Sequence, residues 1–245
     1  MPMKLFYDLH IHSCLSPCGD REMTPGNIAG MAHLAGLNVA AISDHNTTRH
    51  CRVFSAWAAR YDLLAVPAME LNTREEVHIL CLFPGLEAAE DFDAYVRTKL
   101  PDIKNRPDFF GPQLILDDQD RVIGQEDRLL TVGTEISIYE ISSLMKPYEG
   151  LAIPAHIDRD SNSVLANLGF VTTDMGFTVS EITRRGDLPA IRAENAALRG
   201  KPYVTNSDAH YLGDIFDAEF TLETEDWSSR GVVDAIRKGN GLGRL

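Results

Sequence analysis

The chain has 245 residues, of which 24% are charged and 44% hydrophobic, and its formal net charge is −13. That is the balance of one soluble globular domain, and it excludes a disordered chain or a collagen-like repeat. No apolar run approaches the roughly 18 residues a membrane span needs and the Met1 to Tyr7 start has no leader features, so the expected address is the cytoplasm.

The opening run, Lys4 to His12, alternates and is rich in β-formers, which predicts a strand ending in a polar cluster. After a loop from Ser13 to Glu22, Thr24-Pro25 supplies a cap and a first-turn proline for a helix that Gly36 stops. Leu37 to Ser43 reads as a short buried strand. The unit recurs as a helix from about Thr48 to Arg60, strands at Leu63 to Met69 and Val77 to Phe83, and a helix from about Leu86 to Leu100.

Between Leu100 and Gly133 the rhythm breaks. Pro101, Pro107 and Pro112 precede a segment from Leu114 to Gly124 that reads as a hairpin around an acidic turn. Ser137 and Glu140 form a capping-box pattern for a helix running to Tyr148, which places Glu135 at a helix entry, and Leu151 to Ala155 follows as a strand. Strands at Val179 to Ile182 and Tyr203 to Asn206 flank a helix from Pro189 to Leu198 that Asp187 caps. A strand near Phe220 to Leu222 and a helix from Ser229 to Lys238 close the chain. The whole reads as one α/β domain, 1–245, with an insertion at about 101–135.

Polar residues collect where strands end. In Asp8-Leu-His-Ile-His12 the two histidines lie on one strand face and can grip one metal ion from a rigid backbone. Ser43-Asp-His45, Pro67-Ala-Met-Glu70, Glu76-Val-His78, Pro154-Ala-His156 and Asp208-Ala-His210 repeat the theme. In a barrel of parallel strands the C-terminal ends converge on one face, which would gather these groups into a metal cluster. His33, within the first helix, reads as a surface or packing residue. His50 stays open.

These motifs, in this order, resemble those of the polymerase and histidinol phosphatase (PHP) family. The resemblance implies a distorted (β/α)7 TIM-like barrel, two to three divalent metal ions (zinc, manganese or iron), and phosphoester hydrolysis by a metal-activated hydroxide. It assigns His10, His12, Glu70 and Asp208 to a first metal. Glu70 bridges to a second held by His78 and His156, and His45 and His210 serve a third. Where the family usually has Asp or His in the first loop, this chain has Cys18, with Asp20 as the competing ligand. A Cys18 thiolate favours zinc or iron over manganese. The Cys14 and Cys18 pair has structural-zinc spacing, but no second ligand pair nearby completes such a site.

Asp44 and Asp8 are candidates for orienting neighbouring imidazoles. Arg49, Arg159, Arg184 and Arg185 follow site motifs, and Arg159 with Arg184 or Arg185 is expected to clamp phosphate. Glu181 also ends a strand, but its motif does not belong to the metal set. The insertion lies where small-molecule members of the family carry a substrate-covering segment, which makes 101–135 a candidate lid; a solvent-facing decoration or dimer contact is the alternative.

The expected substrate is a small phosphorylated metabolite, a nucleotide or a histidinol-phosphate-like ester. Because 36 acidic residues outnumber 23 basic ones, the chain's field repels polyanions, so nucleic acid is not expected as a partner. The alternatives are nuclease action on a 3′ end, a non-catalytic metal-binding module, and amide or amine hydrolysis in a related barrel. No phosphate-loop or GxSxG motif points elsewhere.

Overall fold

The structure, a computed structural model, describes residues 2–245. Strand β1 (Met3–Ile11) leads into helix α1 (Pro25–Leu34), whose Thr24 cap accepts from the Asn27 amide, as the Thr-Pro pair predicts. Strand β2 (Val39–Ile42) follows, then α2 (Cys51–Ala58), which starts later than expected because Asp93 takes the Thr47 hydroxyl and the Thr48 amide into a turn. The next expected strand is broken into β3 (Leu64–Ala65) and β4 (Ala68–Asn72). Pro67 lies at the break, where it has no N–H to give to a ladder.

Strand β5 (His78–Leu82) runs antiparallel to β4, with Asn72 opposite His78 and Glu70 opposite Leu80. The connection spans only Thr73 to Val77, too short for a parallel crossover. His78 therefore begins a strand instead of ending one. It still reaches the same end of the sheet as Glu70, because its strand runs the opposite way.

Helix α3 (Leu86–Lys99) precedes the insertion, which holds the short helix α4 (Pro107–Phe110) and the expected hairpin, β6 (Leu114–Leu116) with β7 (Val122–Gln125). The capping box at Ser137 and Glu140 is formed and opens α5 (Ile138–Leu144). Strand β8 (Leu151–Pro154), α6 (Val164–Leu168), β9 (Ser180–Glu181), α7 (Leu188–Glu194), β10 (Pro202–Val204), β11 (Thr221–Thr224), α8 (Ser229–Lys238) and an unexpected final strand β12 (Gly243–Arg244) complete the chain.

The fold is α/β, with strands in the orders β11-β1-β2-β3, β4-β5-β8 and β12-β10-β9, and the hairpin apart. Among the described residues no single ladder runs through all of these strands. Isolated contacts join the sheets instead: His45 pairs with Glu70, Ile11 pairs with Ala209, and the Ile157 amide donates to the Glu181 carbonyl. One core cluster draws Leu9, Ala41, Ala68, Leu80, Ile153, Val179 and Val204 from all three sheets. This shared apolar filling holds the polar strand ends in register above it. No helix among the described residues is long and apolar enough to cross a membrane.

Candidate metal centre

Glu70 lies at the middle of the polar end, 1% exposed. Its Oε1 is 3.1 Å from His10 Nε2, 2.8 Å from His78 Nδ1 and 3.2 Å from His156 Nε2. Its Oε2 is 3.3 Å from His12 Nε2 and 3.0 Å from His45 Nδ1. Asp208 Oδ1 joins from the other side, 3.1 Å from His12 Nε2 and 3.4 Å from His10 Nε2. Two of these residues reach their places by unusual backbone: His156 has φ +29° and Asp208 φ +53°. Such conformations cost energy and persist where the surroundings enforce them.

The donor chemistry fits divalent cations. His10 Nε2, His12 Nε2 and Asp208 Oδ1 are buried close to one another without hydrogen-bond geometry, whereas His156 bonds Glu70 through Nε2 and only its Nδ1 is left without a partner. Three sets of donors lie within 4.8 Å of one another: His10, His12 and Asp208; His45, Glu70 and His78; His12, Cys18 and His45. Nitrogen, carboxylate and thiolate ligands of this kind suit zinc or iron.

The electrostatics call for positive charge. Burial works against the imidazolium of His10, but Glu181, Glu70 and Asp208 outweigh it and raise its pKa. His12 is raised to about 9 in the same way, with Asp208 and Glu70 overcoming burial. For His45, burial wins and holds the pKa well below the usual value. Against their own burial, Glu70 is kept ionised by His78, His10 and His45, and Asp208 by His10 and His12. A carboxylate pair surrounded by imidazoles at this depth is neutralised by protons or by metal ions.

A second set of contacts aims the imidazoles. Glu181, 2% exposed, accepts from His10 Nδ1 at 3.0 Å, from the His156 amide at 2.9 Å and from Asn206 at 2.6 Å, leaving His10 Nε2 for the cluster. Ser16 Oγ lies 3.1 Å from His12 Nδ1. Asn72 Oδ1 lies 3.1 Å from His45 Nδ1, the same nitrogen that faces Glu70, and so competes with the cluster for it. Asp44 does not touch the ring of its neighbour His45; it accepts from Ser13 and Ser16. Asp8, raised to about 6 by burial, accepts the Ser207 and Phe216 amides and so braces the segment that carries Asp208.

Cys18 faces the cluster from an exposed rim, and its pKa is raised by desolvation and then by Glu70, Asp208 and Asp44. Asp20 is held in a local turn, its carboxylate on the Glu22 amide. His210 stacks on His12 with ring centroids 4.4 Å apart, and its Nδ1 lies 2.8 Å from the Asp208 carbonyl. Burial lowers its pKa. His33 is exposed beside Tyr61 and takes no part.

The cluster opens into a cavity of about 820 Å³. Arg159 lines it, paired with Asp208, and so does Arg74, which the motifs did not single out. Arg184, one of the two arginines expected as the partner of Arg159 in the clamp, is engaged elsewhere. Its guanidinium pairs with Glu219 at 2.8 Å and lies over the Phe216 ring, and it does not line this cavity. Arg49 pairs instead with Glu126 at 3.6 Å.

The insertion supplies an opposite, largely apolar wall through Pro101, Ile103, Phe110, Leu129 and Val132. It is tied to the cluster's own neighbours. Asn46 donates to the Leu130 and Val132 carbonyls, and Asn72 donates to the Thr131 carbonyl. Gly111, at φ +101°, approaches Pro17 so closely that a Cβ would lie 2.3 Å from its carbonyl oxygen.

No protein-family model and no curated protein sequence matches the chain. Solved structures do. A lesion-specific endonuclease Q from Pyrococcus furiosus superposes with a TM-score of 0.71 at 19% identity, covering 99% of this chain and 58% of that one. An amidohydrolase from Chromobacterium violaceum gives 0.58 at 17% identity, with 97% of both chains covered. A proposed metal-dependent phosphoesterase from Bifidobacterium adolescentis gives 0.57 at 16%, with 98% of both covered. The chain thus spans somewhat over half the length of endonuclease Q. The likeness establishes a shared fold.

Proposed function

We propose that the chain is a metal-dependent phosphoesterase acting on a small phosphorylated substrate. The observation that carries this reading is the gathering of five imidazoles around the buried Glu70 carboxylate at the floor of a cavity with Arg159 and Arg74 in its lining. His10, His12, Asp208 and Glu70 would hold one divalent cation, and Glu70 with His78 and His156 a second. His45 with Cys18, and His210 stacked on the neighbouring His12, would serve a third. On this reading the three linked sheets make up a distorted seven-unit barrel whose polar end is the active face.

When bound, such cations supply Lewis acidity, which makes water nucleophilic near neutral pH and neutralises charge on phosphoryl oxygens. The protein's own residues do the rest. Glu181 and Ser16 keep the lone pairs of His10 and His12 aimed inward. Arg159 exchanges part of its contact with Asp208 for the phosphoryl oxygens, and Arg74 adds a second guanidinium. The apolar wall takes the remainder of the substrate and limits water. A cavity of about 820 Å³ is of the size that small ligands occupy.

A nuclease is the second reading. The acidic balance argues against nucleic acid, but the first two structural likenesses are to endonuclease Q, one of them in complex with a duplex carrying an abasic lesion, and they give that exclusion no support. Protein stripped with chelator and reloaded with Zn²⁺, Mn²⁺ or Fe²⁺ should release phosphate from members of a phosphomonoester panel. Failure on every ester under every metal refutes the phosphoesterase. Metal-dependent cleavage of oligonucleotides that collapses steeply with added salt would favour the nuclease.

A further inference from the structure

The hydrogen bonds around Asp44 determine where each proton sits. The Leu116 amide, on strand β6 of the insertion, lies 3.1 Å from His50 Nε2, so that nitrogen is the bare one and Nδ1 carries the proton. His50 Nδ1 is 2.8 Å from Ser13 Oγ, and the Ser13 hydroxyl in turn donates to Asp44 Oδ2 at 2.6 Å. On the other side, the Ser16 hydroxyl donates to Asp44 Oδ1 at 2.7 Å. Having given its proton, Ser16 Oγ accepts from His12 Nδ1 at 3.1 Å and from the His45 amide at 3.2 Å. With Nδ1 held by Ser16, His12 Nε2 is the nitrogen directed at Asp208 and Glu70 and the one a cation would take in place of a proton. Ser13, Ser16, Asp44 and His50 are each at most 1% exposed.

We propose that Asp44 is a positioning residue that couples the orientation of His12 to the seating of the hairpin insertion, through Ser16 on one side and through Ser13 and His50 on the other. The inference rests on His12 being a metal ligand. If the hairpin lifts, His50 loses the Leu116 donor that selects its tautomer, the Ser13 hydroxyl is released, and the carboxylate can turn away from Ser16. A seated hairpin, conversely, holds Asp44 where Ser16 needs it. By linkage, a cation on His12 then favours the seated hairpin, and the wall of the substrate cavity and the metal site become parts of one unit.

The test is a double-mutant cycle on Zn²⁺ affinity, measured by chelator competition on the full chain, with histidine ¹⁵N spectra as an independent readout. Ser16→Ala should weaken Zn²⁺ binding about 10–100-fold, the usual effect of losing a group that orients a ligand, and Ser16→Thr, which keeps the hydroxyl, should recover most of it. His50→Phe, which keeps the ring shape without its nitrogens, should weaken binding less. The double variant should lose clearly less than the product of the two single losses, because both arms act through one carboxylate. In the wild type, His50 should be protonated on Nδ1 alone.

Losses that multiply, affinity within about twofold of wild type in Ser16→Ala or His50→Phe, no recovery in Ser16→Thr, or a proton on His50 Nε2 would each overturn the coupling. Wild-type protein that binds no Zn²⁺ defeats the metal-centre reading and this inference together. Wild-type binding with multiplying losses defeats the coupling alone.

Discussion

His10 Nδ1 sits 3.0 Å from Glu181 Oε2, which leaves His10 Nε2 directed at Glu70. A buried carboxylate behind a ligand imidazole fixes its tautomer and raises its basicity. Glu181→Gln can turn an amide N–H against the His10 N–H and remove that support. Metal affinity measured by chelator competition should fall about 10–100-fold, with the fold retained by circular dichroism. Unchanged affinity contradicts the role given to Glu181.

Glu70 is the group around which the cluster is organised. Glu70→Gln keeps its volume and removes its charge, so it should cut metal-dependent phosphate release by more than about 100-fold while the metal-free protein still folds. Steady-state rates at saturating metal check this. A variant that turns over at the wild-type rate shows that the carboxylate is dispensable.

Without a cation, the His12 pKa is raised to about 9, because Asp208 and Glu70 outweigh the burial that opposes its charge. A folded value above the ordinary one of about 6.5 means that this imidazolium stabilises the metal-free fold fully below about pH 6.5, and that the contribution disappears as pH rises through about 9. Thermal melts of chelated protein should therefore show Tm falling across that window, while metal-loaded protein is much less affected. Metal binding near pH 7 should also release protons. A metal-free Tm that rises with pH over the window runs against this electrostatic account.

Arg159 lines the cavity beside Asp208, and Arg184 is engaged by Glu219 outside it. Arg159→Ala should raise KM for a phosphorylated substrate about tenfold or more, the scale of one charge-assisted contact to phosphate. Arg184→Ala should change it by less than about twofold. Reversed effects in steady-state kinetics would place the phosphate elsewhere.

Asn46 is fully buried at φ +53°, donates to two carbonyls of the insertion and accepts the Asn72 amide. Asn46→Ala removes all three bonds at a backbone angle that suits asparagine better than alanine, and should cost roughly 2–4 kcal/mol in denaturant unfolding. It should also raise KM more than it lowers kcat, since a substrate wall is loosened. A loss under about 0.5 kcal/mol would mean that the insertion is held by other contacts.

Much of this site is legible in the sequence because strands impose a period of two and end in short polar runs. His10 and His12 two apart, then Asp44-His45, Glu70, His156, and Asp208 with His210, each mark one element, and the apolar runs before them say that the elements share a core. The sense of a strand is not written so locally. His78 looks like another strand end, and only the short Thr73 to Val77 connection, read as a hairpin turn, would have shown that β5 runs backwards. The aiming groups were harder still. Ser16 and Glu181 are ordinary residues until folding puts a particular oxygen behind a particular nitrogen. Arginine near a motif is an uneven guide: Arg159 follows its motif into the cavity lining, Arg184 follows Glu181 closely yet pairs with Glu219, and Arg74 lines the cavity from a turn that no motif marks.

The most direct measurement is anomalous diffraction from crystals of the protein loaded with Zn²⁺. The account predicts at least two cation peaks within bonding distance of the Glu70 carboxylate, one also reaching His10 and His12 and another reaching His78. Crystals of Zn²⁺-treated protein with no peak at Glu70, or with zinc bound only elsewhere on the molecule, would contradict it.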